Sequence, residues 1–127
     1  MRLIDTSAWI ETLIGSPIGA RIVGLLPSQD QWLVPTMVQL ELARWLRREA
    51  PHSEDRVIAF SQLCRVVPLD TETALAAAEL GAIHRLAMAD AIIYATAQVQ
   101  NAELLTCDAH FDGLPGVTFE DRRAGLS

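Results

Sequence analysis

The sequence predicts an α/β fold: a three-layer α/β/α sandwich around a short parallel sheet of four to five strands. Short apolar runs alternate with longer stretches of helical periodicity along the whole chain. The runs are continuously apolar rather than alternating, as strands are when a sheet is covered on both faces. With 127 residues, half of them apolar, and no repeat or low-complexity segment, the pattern fits one domain spanning 1–127.

The elements follow in order. "MRLID" reads as a short buried strand, and "TSAWIETLIG" as a helix that starts on hydroxyl caps and closes at Gly15. "SPIGARIVGLLPS" reads as a second helix, with Ser16 as its cap and Pro17 at its first position. "QWLVP" is an apolar strand ended by proline, followed by the helix "TMVQLELARWLRREA" and another, "PHSEDRVIAFSQLC", that starts at a proline. "RVVPL" is a third strand and "DTETALAAAELGAIHR" an alanine-rich helix capped by Asp70 or Thr71. The helix "MADAIIYATAQVQN", the strand "AELLTC" and a short edge strand "VTFE" complete the pattern.

Composition excludes several classes. The net charge of −6 argues against a module that binds nucleic acid by blanketing phosphates. All ten basic residues are arginine, so chemistries that need a lysine are excluded. No glycine-rich loop ends in Lys-Ser/Thr. Cys64 and Cys107 are too few for a disulfide scaffold and read as reduced thiols, Cys107 as a buried one at a strand end. No apolar run is long enough to span a membrane, and no export leader opens the chain. The expectation is a cytoplasmic protein.

Four carboxylates stand in unusual places. Asp5 and Asp108 end two apolar strands, and open parallel sheets collect ligands at strand carboxyl ends. On a helical wheel Glu41 falls inside an apolar stripe, between Met37 and Trp45. A buried carboxylate needs a partner, a proton or a metal, and Arg44 and Arg48 are the conceivable partners. Asp90 opens a helix, where a cap is ordinary, but it shares a face with Ile93, Tyr94 and Ala97. Asp70 and Asp112 read as a cap and a turn residue. Four converging acids without a histidine cluster suit a hard cation such as Mg²⁺ or Mn²⁺, not Zn²⁺. Such a site favours phosphodiester hydrolysis, because the ion activates water and accepts substrate phosphate.

"LIDTSAWI" at 3–10, "QLELARW" at 39–45, "MADAIIYATA" at 88–97 and "LLTCDAHF" at 104–111 together resemble the PIN domain, and within it the VapC-type toxins of bacterial toxin–antitoxin pairs. The resemblance spans essentially the whole chain. It implies a metal-dependent ribonuclease whose Mg²⁺ or Mn²⁺ is held by Asp5, Glu41, Asp90 and Asp108, with Ser7, Thr106 and Thr6 in support. It also implies an RNA substrate, a small cognate antitoxin that blocks the site, and a toxin homodimer within a heterotetramer or larger assembly. Two features depart from a typical member: the connector 85–87 is tight, and Asp112 offers a second carboxylate near Asp108.

Arg44, Arg48 and His110 are candidate contacts to RNA or antitoxin, whereas His52 and His84 read as helix-surface residues. Trp9, Ile10 and Leu13 suggest an exposed groove on the first helix for an antitoxin helix. Two rivals remain. One is a PIN-like binding scaffold without activity; the other is a receiver-like Mg²⁺-binding signalling module, disfavoured by the missing lysine. The absence of an Asp-x-Asp pair at the first strand likewise disfavours a haloacid-type phosphatase.

Overall fold

A computed structural model describes residues 1–123. The strands are β1 (Arg2–Ile4), β2 (Trp32–Pro35), β3 (Arg65–Val67), β4 (Glu103–Thr106) and β5 (Val117–Phe119). They form one parallel sheet in the order β3-β2-β1-β4-β5. Consecutive strand residues point to opposite faces, yet Leu3, Ile4, Leu33, Val34, Leu104 and Leu105 are all fully buried. Both faces are therefore covered, in keeping with the continuously apolar runs.

The chain steps outward from β1 to β2 and β3, then crosses to the other side of β1 for β4 and β5. The strand order thus reverses between β1 and β4, which pair from Arg2↔Glu103 to Ile4↔Leu105. A crevice forms beyond the carboxyl ends of strands at such a switch point. A flavodoxin-like receiver has the order 2-1-3-4-5, so the topology removes the receiver-like alternative.

The helices are α1 (Thr6–Ile14), α2 (Pro17–Val23), α3 (Thr36–Glu49), α4 (Glu54–Gln62), α5 (Thr71–His84) and α6 (Met88–Val99). The cap of α1 differs from expectation. Asp5 itself is the N-cap, its side chain accepting from the backbone N–H of Thr6. Helix α2 ends at Val23, not in the 24–28 stretch, because Gly24 is a poor helix former and Pro27 disfavours helical backbone at Leu26. Gly19 lets α2 lie against α1, since a Cβ there would fall 2.0 Å from the Glu11 carbonyl oxygen. The tight connector before α6 is built on Arg85, which takes the left-handed conformation at φ 56°.

Trp9 is itself buried, and with Leu13, Trp32 and Phe60 it lines an apolar surface pocket. It is 4% exposed and packs on Trp32, with ring centroids 4.8 Å apart and Phe60 edge-on to both. The flat helical pattern hid this, because α1 buries Ala8, Trp9 and Glu11 and leaves Leu13 and Ile14 outward. Among the described residues no helix is long and apolar enough to cross a membrane.

Candidate metal centre

Asp5 stands directly after β1 and is 4% exposed. Its Oδ1 accepts from the Thr6 N–H at 2.6 Å. Its Oδ2 accepts from Ser7 Oγ at 2.9 Å and from Thr106 Oγ1 at 2.6 Å. Thr106 closes β4, so that bond ties the ends of the two central strands. The same hydroxyls steer the chain beyond β4: the Cys107 N–H donates to Ser7 Oγ and the Asp108 N–H to Thr106 Oγ1, each at 3.0 Å. Asp108 is thereby aimed back over the crevice, where it caps a short turn at Ala109–Phe111 whose Phe111 is fully buried.

Glu41 lies on α3 at the edge of the buried stripe formed by Val38, Leu42 and Leu46 rather than inside it. It accepts from Thr6 Oγ1 at 2.7 Å, so Thr6 bridges two acids, one through its backbone and one through its side chain. Among the described residues Glu41 makes no ion pair: Arg48 pairs with Glu49 at 3.0 Å instead. Arg44, Arg48, Trp45 and Thr6 line a shallow pocket beside Glu41.

Asp90 sits in the first turn of α6 without capping it, since Ala87 is the N-cap and makes no side-chain bond. Residues Ala91 to Ala97 are all buried, so α6 is fixed and its first turn projects Asp90 toward the crevice. His110 Nδ1 lies 3.2 Å from Asp108 Oδ1 and 3.5 Å from Asp90 Oδ2. Asp90, Asp108 and His110 offer three ligand atoms within 4.8 Å of one another.

The electrostatics are those of crowded carboxylates. Burial pushes the Asp5 carboxyl up, against the pull of its Thr106, Ser7 and Thr6 bonds, and the charge of Glu41 pushes the same way as burial. Burial also raises Asp90, with the charges of Asp108 and Asp5 adding to it and His110 opposing. For Asp5 and Asp90 burial is the larger cause and the neighbouring carboxylates add to it, a repulsion that a divalent cation relieves. The donors are carboxylate oxygens with one imidazole, a set that fits Mg²⁺ or Mn²⁺. Cys107 is no ligand candidate: burial, with the charge of Glu11, pushes its thiol up to about 11.

The family model of the PIN domain matches residues 2–117. The chain belongs to the PIN domain family. Its fold is similar to that of a toxin–antitoxin complex from Klebsiella pneumoniae, at 25% identity over 93% of this chain and 96% of that one, TM-score 0.82. It is also similar to a sarcin–ricin-loop-cleaving VapC toxin of Mycobacterium tuberculosis (18% identity, 95% and 100% covered, TM-score 0.74). A third likeness is FitAcB from Neisseria gonorrhoeae (20% identity, 94% and 97% covered, TM-score 0.73). No curated protein matches the chain.

In this PIN domain the predicted acids fall into two pairs, and the group placed to hold an ion gathers Asp90, Asp108 and His110 without Asp5 or Glu41. Asp5 and Glu41 are joined through Thr6, and Asp90 and Asp108 through His110. Asp112 is exposed and stands outside the cluster, so Asp108 is the acid that faces Asp90. His110, expected as a contact to RNA or antitoxin, is part of the acid cluster. One residue escapes sequence reasoning. Glu11 is a buried acid that accepts from Ser16 Oγ at 3.3 Å.

Proposed function

We propose that this PIN domain is a metal-dependent endoribonuclease, the toxin of a toxin–antitoxin pair. Asp5, Glu41, Asp90 and Asp108 would hold Mg²⁺ or Mn²⁺. The observation that carries the reading is the hydroxyl clamp of Thr6, Ser7 and Thr106, which fixes a buried Asp5 at the sheet's switch point and orients Glu41 and Asp108 beside it. A buried carboxylate is costly to keep in a fold, and here three donors hold it in place.

A divalent cation bound there supplies Lewis acidity toward the phosphate and a water of lowered pKa. The chain's own residues do the rest. Asp5 keeps both oxygens fixed, so the site is preorganised. Thr6 holds Glu41 in the same way. Arg44 and Arg48, one helical turn apart beside Glu41, present guanidinium groups to RNA phosphates, and an acidic chain can thereby hold an acidic polymer. The structural neighbour that is a toxin–antitoxin complex supports a small antitoxin as partner; we propose with it a toxin homodimer within a heterotetramer or larger assembly.

Partner-free protein incubated with total RNA in Mg²⁺ or Mn²⁺ tests the reading. Cleavage that EDTA stops and that Asp5→Asn abolishes supports it. Absence of cleavage by the folded protein in either metal would leave a PIN-like binding scaffold.

A further inference from the structure

We infer that His110 is a direct ligand of the divalent cation and that it tunes the centre toward Mn²⁺ over Mg²⁺. This rests on the metal-centre reading above and adds a nitrogen donor to its four carboxylates.

Three observations carry the inference. The Nδ1 atom stands 3.2 Å from one carboxylate oxygen of Asp108 and 3.5 Å from one of Asp90. Adjacent ligand atoms of an octahedral ion with bonds of about 2.1 Å lie about 3 Å apart, so the imidazole nitrogen stands near the spacing of a ligand adjacent to both acids. The residue is also held in place from below. Its backbone N–H donates to Asp108 Oδ1 at 2.9 Å, and the next residue, Phe111, is fully buried in the core. Finally, among the described residues the ring's only polar neighbours are these two carboxylates. It is 76% exposed and packs in no aromatic pair, whereas His84 lies edge-on to Tyr94.

The consequence follows from donor chemistry. Carboxylate and water suit Mg²⁺ and Mn²⁺ alike, but an imidazole nitrogen favours the transition metal, because Mg²⁺ binds oxygen almost exclusively. A pure acid quartet would discriminate little between the two ions, whereas one with His110 selects Mn²⁺.

The test is metal binding, read without RNA. Calorimetric titration of the partner-free protein with MgCl₂ and with MnCl₂ gives both affinities, and electron spin-echo spectroscopy of the Mn²⁺ form reports whether a ¹⁴N nucleus is bound directly to the ion. The inference predicts a ¹⁴N coupling in the wild type that His110→Ala removes. It also predicts a loss of Mn²⁺ affinity of about tenfold in that variant, with Mg²⁺ affinity nearly unchanged. His110→Asn, which keeps a polar side chain, gives the same result. Mn²⁺ binding without a ¹⁴N coupling, or with equal affinities in wild type and His110→Ala, overturns the inference while leaving the carboxylate centre intact. Binding of neither ion by the folded wild type overturns both.

Discussion

Thr6 donates from its hydroxyl to Glu41 Oε1 at 2.7 Å and from its backbone N–H to Asp5 Oδ1 at 2.6 Å. One residue thus sets the relative position of two acids from β1 and α3. Thr6→Val keeps the helix and the shape but releases Glu41. RNA cleavage should fall about tenfold or more, the usual cost of losing a partner that orients a ligand, with thermal stability little changed. Thr6→Ser should restore most of the activity. Equal rates for Thr6→Val and wild type would show that Glu41 needs no such tether.

Thr106 is fully buried and donates to a carboxylate that is itself 4% exposed. Thr106→Val leaves Asp5 short of one of its three partners in a place water does not reach. The expected cost is about 1–3 kcal/mol in chemical denaturation. Ser7→Ala should cost less, because Ser7 is only half-buried.

Asp90 carries a raised pKa, caused first by burial and then by the charges of Asp108 and Asp5. A carboxyl whose folded value lies above its unfolded one stabilises the fold below the ordinary carboxylate range and loses that contribution as the pH rises through the folded value. In EDTA, Asp90→Asn should therefore be more stable than wild type at neutral pH, with the gap closing toward pH about 4. Saturating Mg²⁺ should reverse the order at neutral pH, because only the wild type binds the ion well. Melting curves at several pH values, with and without Mg²⁺, check this.

Burial is the main reason the Cys107 thiol is pushed up to about 11. It should resist iodoacetamide at pH 8 in the folded protein, while the partly exposed Cys64 reacts ahead of it. Its raised value also means that stability present below the unfolded thiol's pKa, about 8.5, is lost as the pH climbs toward 11. Mass-spectrometric labelling and an alkaline denaturation series read the two effects.

Asp108 and Asp112 are four residues apart, but only Asp108 faces Asp90 and His110. Asp108→Asn should abolish cleavage, and Asp112→Asn should leave it within about twofold of wild type, the range expected of an exposed turn residue. Parallel rate measurements on the two variants separate them.

Much of the sheet is legible in the sequence because its strands are buried on both faces and so read as unbroken apolar runs. Asp5 and Asp108 are legible for a related reason, since a carboxylate at the end of such a run has no place in a core. Glu41 is legible by its angle on α3, although its half-buried position at the stripe's edge depends on how α3 rolls against α1. Three features lie beyond one-dimensional pattern. Trp9 is buried by its stacking on Trp32, 23 residues later in the chain. Thr6 finds Glu41 across 35 residues. His110 reaches Asp90 only because Phe111 anchors the turn after β4. In each case the deciding contact is made by packing between elements, and nothing local records it.

The most direct test of the central claim is anomalous diffraction from crystals of the partner-free protein grown with MnCl₂. An anomalous peak is expected at the carboxyl ends of β1 and β4, held by Asp5, Glu41, Asp90 and Asp108 with His110, and it should be lost in Asp90→Asn. A well-ordered crevice with no peak at millimolar Mn²⁺, or a peak only elsewhere on the surface, would contradict the metal centre and with it the nuclease reading.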